Sequence, residues 1–126
     1  MILIFGGVYQ GKLTYAMEVF GCTDEQVYHC SDKNTSVPCD KKVVYEIDRW
    51  ILALVQTEAN IPEQVTQFMK ENREAIVICN DISCGVVPTD NTLRKWREET
   101  GRALTMLAEQ SKEVIRLFCG IPTRIK

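Results

Sequence analysis

Positive charge is not in excess in this chain of 126 residues: 15 lysines and arginines face 17 aspartates and glutamates, a formal charge of -2. The calculated pI is near 5.4. A partner held through a nucleic-acid backbone needs a basic face, so no nucleic-acid partner is expected. Long apolar runs are missing too. None approaches the roughly 18 residues of a membrane span, and the apolar start, Met1 to Ile4, runs into glycines instead of a cleavage site. A cytoplasmic protein without a membrane partner is the expectation. There is no low-complexity segment and no repeat, and the length suits one domain over residues 1–126 with a proper core.

The six cysteines, Cys22, Cys30, Cys39, Cys79, Cys84 and Cys119, include no C-x-x-C pair. With no sign of secretion, reduced thiols are the default. Only Cys22, Cys30 and Cys39 with the single histidine, His29, offer a zinc set, and neighbours such as His29 and Cys30 face opposite sides of a strand. No zinc site is expected from them. His29 itself is either a base or nucleophile or an ordinary half-exposed strand residue. Cys79 and Cys119 sit in apolar runs and read as small buried hydrophobes.

What the chain does have is MILIFGGVYQGKLT at residues 1–14. An apolar strand leads into Gly6-Gly7, and Gly11-Lys12 opens a segment with helical spacing. The span Gly6 to Lys12 reads G-x-x-x-x-G-K, in which glycines let backbone N–H groups curl round an anion and the lysine adds a point charge. The N-terminus of the following helix adds its own partial positive charge. The alternative is a tight strand-to-helix turn with a solvated lysine. After the lysine such a loop carries Ser or Thr, whose hydroxyl holds Mg²⁺, and here stands Leu13. Thr14 lies about 100° further round the helix and roughly 1.5 Å along it, so it does not replace that hydroxyl.

Further along, Lys12 to Phe20 is predicted to be a helix with Ala16 and Val19 or Phe20 inward and Gly21 as its stop. Val27 to Cys30 reads as a short strand, Ser31 to Lys42 as a surface loop, and Val43 to Asp48 as a strand ending in acids. Glu46 or Asp48 is placed either to contact Mg²⁺ through water or to cap the next helix. Trp50 to Val55 is apolar nearly all round; Asn60 with Glu63 resembles a capping box, with Pro62 in the first turn and Ile61, Val65 and Phe68 on one face. Ala75 to Cys79 is a continuous apolar strand. A helix begun by Thr89 or Asp90 puts Leu93, Trp96, Thr100, Leu104 and Leu107 on one face. Val114 to Cys119 is the next strand, and Thr123 to Lys126 returns as a short antiparallel edge. The alternation of strands and helices gives an α/β layered fold.

Three motifs in order, NDISCGVVP from Asn80, WREETGR from Trp96 and GIPTRIK from Gly120, resemble the adenosylcobinamide kinase and adenosylcobinamide-phosphate guanylyltransferase family of cobalamin biosynthesis. The family patterns are close to N-E-V-G-x-G-I-V-P, F-R-D-x-x-G-R and G-I-P-x-x-x-K. The resemblance covers residues 76–126 well and residues 1–20 in outline. It implies a RecA-like P-loop domain, mostly parallel and commonly a homo-oligomer, that uses ATP or GTP to phosphorylate a corrinoid hydroxyl and then transfers GMP through a guanylylated histidine. Carried over, Gly6, Gly7, Gly11 and Lys12 cradle phosphates, with Leu13 and Thr14 entering the helix beside them and Glu46 in the strand-end acidic role. Asn80, Asp81, Gly85 and Pro88 shape the loop at the ligand edge, and Arg97 and Arg102 fall on the family's two arginines.

The departures are equally definite. Tyr9-Gln10 stands where the family has Arg-Ser, Leu13 where it has Ser, and Leu104-Thr105 where it has Asn-Gln. The segment Ser31 to Lys42, where the family carries its guanylylated histidine, has none. Two function classes follow: a shortened transferase that keeps the kinase chemistry, and a nucleotide-binding or scaffold relative that does not turn over.

Overall fold

The computed structural model describes residues 1–82 and 90–126. Its centre is strand β1, Ile2–Gly6, which pairs in parallel with β4, Ile76–Asn80, on one side and with β5, Glu113–Phe118, on the other. Beyond β4 lie β3, Val43–Tyr45, and then β2, Val27–His29; beyond β5 lies β6, Ile121–Arg124, which runs antiparallel. The six-stranded order is β2-β3-β4-β1-β5-β6. A mostly parallel α/β sheet with an antiparallel C-terminal edge is the architecture expected from the sequence.

Alternation along the strands divides the core in two. Leu3, Val44, Val77, Cys79 and Val114 belong to one buried cluster with residues of helices α2, Ile47–Gln56, α3, Ile61–Glu71, and α4, Asn91–Gln110. Ile4, Val43, Ile78, Ile115 and Leu117 belong to the other, with Ala16 of helix α1, Lys12–Phe20. Strands buried on both faces are apolar along most of their length, and all five residues of β4 are buried, the last of them the polar Asn80.

Local chemistry sets the ends. Gly21 takes a left-handed φ of 66° and stops α1. The Asn60 side chain accepts from Glu63 N at 3.2 Å to start α3, and Asp90 accepts from Leu93 N at 3.1 Å to start α4. The segment between β2 and β3 is tied to the body by Trp50 Nε1, which donates to Thr35 O at 2.8 Å.

Three expectations need correction. The strand after this segment ends at Tyr45, not Asp48, because the buried stripe of α2 already begins at Ile47 and takes Asp48 into the helix's first turn. Cys119 is exposed, with φ 52° in the tight turn to β6, so it is not a core thiol. On α1 the choice left open between Val19 and Phe20 falls to Phe20, which packs inward while Val19 faces solvent. On α4 Leu93 is exposed and the buried stripe is Thr100, Ala103 and Leu107. Among the described residues no helix is long and apolar enough to cross a membrane.

Candidate functional site

Parallel strands all point their carboxyl ends the same way, and at that edge of an open α/β sheet the chain must turn back toward its helices. Here β1 leaves through Gly6 and Gly7. A Cβ on Gly6 would lie 2.3 Å from Leu117 O of β5, so only glycine lets these strands approach. Gly11 caps α1 with φ 82°, and no side chain caps the first turn. The early N–H groups of that helix are therefore left for something else. Gln10 Oε1 accepts from Cys119 N, which anchors the loop to the β5–β6 turn.

Lys12 is almost wholly buried for a lysine, 4% exposed, and its Nζ donates to Gly7 O at 2.6 Å across the base of the loop. Burial pushes its ammonium below the usual lysine range, while Asp48, Cys79 and Glu46 pull the other way. A cation held this way is positioned by the loop and short of counter-charge in direct contact.

Opposite it, the turn from β3 into α2 and the end of β4 bring three polar residues together. Asn80 N donates to Asp48 Oδ1 at 3.1 Å, and Asn80 Nδ2 donates to Glu46 Oε2 at 3.1 Å and Asp48 Oδ2 at 3.3 Å. Trp96 Nε1, from α4, donates to Asp48 O at 2.7 Å. Asp48 is buried, whereas Glu46 is partly exposed and only loosely associated with Arg49, 3.9 Å away. Glu46 itself adopts φ 59° at the start of α2, a backbone that leaves its carboxylate beside Asn80. It makes no side-chain cap.

Burial raises the Asp48 carboxyl above its ordinary 3.8, against the pull of the Asn80 backbone and side-chain N–H groups. The folded chain then takes up this proton more readily than the unfolded one. The Asp48 contribution to stability is full below the unfolded value and is lost as pH rises through the raised one. In urea unfolding between about pH 4 and about pH 7, the stability of the parent relative to Asp48→Asn should fall as pH rises. A difference that is flat or grows with pH would contradict this.

Gly11, Lys12, Leu13, Thr14, Glu46, Asp48 and Asn80 line one cleft of about 670 Å³, with Val8, Tyr9, Tyr45 and Trp96. Gly6, Gly7 and Asp81 border a smaller hollow of about 130 Å³ beside Arg116 and Phe118. Arg97 and Arg102 do not line the cleft, and Arg102 pairs with Glu99 of its own helix at 2.8 Å. Gly85 and Pro88 lie outside the described residues. Leu13 faces both ways, lining the cleft and packing on the Ile4 cluster. His29 is exposed at the end of β2, its ring edge-on to Tyr45 at 5.4 Å. Among the described residues, no group of three or more His, Cys, Asp or Glu could hold a metal.

Trp96 and Tyr45 are the site residues that sequence reasoning missed. Helical periodicity marks Trp96 as a core position and cannot show that its N–H reaches Asp48. Tyr45 is hidden because it ends a three-residue strand.

A parallel sheet, a glycine loop at the carboxyl end of its central strand, a buried lysine and an uncapped helix N-terminus define the architecture of a P-loop domain. The family model for cobinamide kinase / cobinamide phosphate guanyltransferase matches residues 41–125, and the chain belongs to this family. The matched part runs from just before β3 through β6, so the loop at Gly6 to Lys12 is characterised by its own geometry. No curated protein matches the chain.

Proposed function

We propose that the cleft binds ATP or GTP with its phosphates over Gly11 and Lys12, and that the chain transfers the terminal phosphoryl group to a hydroxyl of a corrinoid. The observation that carries this is the placement of Lys12 Nζ at the base of the loop with Glu46 and Asn80 across the same cleft. Phosphoryl transfer asks the protein mainly for positioning and charge stabilisation. Lys12 and the first turn of α1 supply positive potential for the phosphate oxygens. Glu46, oriented by Asn80, is the group to accept the proton of the acceptor hydroxyl. Asp48, buried at the floor of the cleft, holds Asn80 in place by accepting from both its backbone and its side-chain N–H groups.

The residues fit a phosphate chain well and Mg²⁺ poorly. Leu13 offers no oxygen and Asp48 is buried, which leaves Glu46 as the one carboxylate among these that would hold the ion, through water. When bound, Mg²⁺ would neutralise charge between phosphate groups. The proposal does not extend to guanylyl transfer: Ser31 to Lys42 holds no histidine, and His29 lies on β2 instead.

Leu13 also favours a second reading, nucleotide binding without turnover. Incubation of the protein with ATP or GTP and adenosylcobinamide, followed by mass spectrometry, separates the two. A phosphorylated corrinoid is expected, and tight nucleotide binding with no product would establish the second reading. In calorimetry with Mg²⁺ and with chelator, Leu13→Ser should increase the benefit of Mg²⁺ for nucleotide affinity about tenfold, or about 1.4 kcal/mol. If Mg²⁺ already strengthens binding to the parent and the substitution adds nothing, another group holds the metal.

A further inference from the structure

The phosphate loop carries two exposed large side chains, Val8 and, more fully, Tyr9. Tyr9 at its tip is 99% exposed, and its backbone adopts φ 62°, a region that bulky residues rarely enter. Glycine would hold this turn more cheaply. Gln10 next to it is anchored to Cys119 N, so the tip is fixed from behind and the Tyr9 ring stands out from it. The ring is not isolated. Tyr9 lines the cleft together with Tyr45, whose ring in turn meets His29 edge-on at 5.4 Å. The Tyr45 hydroxyl is pushed up chiefly by burial, then by Glu46, Asp48 and Tyr9.

We infer that Tyr9 is a stacking residue for a planar ring bound in the cleft beside the phosphates, with Tyr45 as the second wall. This rests on the phosphate-binding reading of Lys12 given above. An exposed aromatic face beside a phosphate seat is the arrangement by which proteins hold a ring attached to a phosphate chain. Two residues separate Tyr9 from Lys12, so on an extended count of about 3.5 Å per residue the ring lies within roughly a nucleoside's length of the lysine backbone. The ring has two sources, the nucleobase of ATP or GTP and the macrocycle of the acceptor. The strained backbone is then kept for the ligand and costs stability in its absence.

Calorimetry of the parent, Tyr9→Ala, Tyr9→Phe and Tyr9→Gly with ATP, GTP, tripolyphosphate and cobinamide tests this. The expected result is a loss of about tenfold in ATP and GTP affinity for Tyr9→Ala and Tyr9→Gly, retention in Tyr9→Phe, and unchanged tripolyphosphate binding. Tyr9→Gly should hold a Tm at or above the parent's, because it relieves the backbone. A loss confined to cobinamide would support the stacking role with the acceptor as its source. Unchanged affinity for all four ligands would overturn it. So would a parallel loss for tripolyphosphate, which would mean that Tyr9 acts through loop shape alone. Should the parent bind no tripolyphosphate, the phosphate reading fails by itself. Free adenosine and guanosine then decide the stacking role: weaker binding in Tyr9→Ala upholds it, and equal or absent binding overturns it.

Discussion

Gly6→Ala is expected to destabilise the protein by about 3 kcal/mol, at the upper end of what forcing a methyl into a packed interior costs. The new carbon would sit 2.3 Å from Leu117 O, and that oxygen belongs to the backbone of a neighbouring strand, so no rotamer change relieves the clash. β1 and β5 would have to part at the point where the loop begins. Gly7→Ala is the control, since its methyl would meet only the Gln10 side chain, at 3.5 Å. Urea unfolding of both variants measures the difference. Equal stabilities would show that the close approach of the strands does not require glycine.

Lys12→Met should abolish the response of the fold to nucleotide. A ligand at 100 times its dissociation constant stabilises the native state by about 2.7 kcal/mol, and the substitution should reduce this to less than about 1 kcal/mol at the same concentration. Methionine is the better replacement because the lysine stem is buried and alanine would open a cavity as well. Without ligand the two proteins should differ little. The variant loses a hydrogen bond to Gly7 O but also sheds the cost of burying a charge. Thermal unfolding with ATP, GTP and tripolyphosphate reads both quantities. A full ligand shift in Lys12→Met would remove this lysine from the phosphate site.

The fold was legible wherever a segment's own pattern was sufficient. The unbroken apolar run at Ile76 and the caps at Asn60 and Asp90 are local signals, and the structure bears them out. Glu46 and Asp48 were legible as acids near a strand end but not as parts of one network. Their geometry depends on Asn80, more than thirty residues along the chain, and on a left-handed turn at Glu46 that nothing in EIDRW announces. Cys119 failed for a related reason. Its apolar neighbours suggest a strand, and only the demand for a tight reversal into β6 takes it out of the core. The glycine loop was visible as a motif, while the reason for Gly6 in particular, the carbonyl of Leu117, comes from the far end of the chain.

That pairing pattern has a consequence for how the protein is made. β1 is synthesised before either of its neighbours, yet β4 begins at Ile76 and β5 at Glu113, so its backbone groups wait for partners while most of the chain is translated. Contacts this distant in sequence form slowly, because the intervening chain must first be closed into a loop at an entropic cost. The nascent chain therefore carries ILIF as an uncovered apolar segment on the ribosome, a natural target for a chaperone. The glycine loop is encoded before the strands that support it and assembled after them. A ligand of that loop would meet its seat only once β4 and β5 are in place.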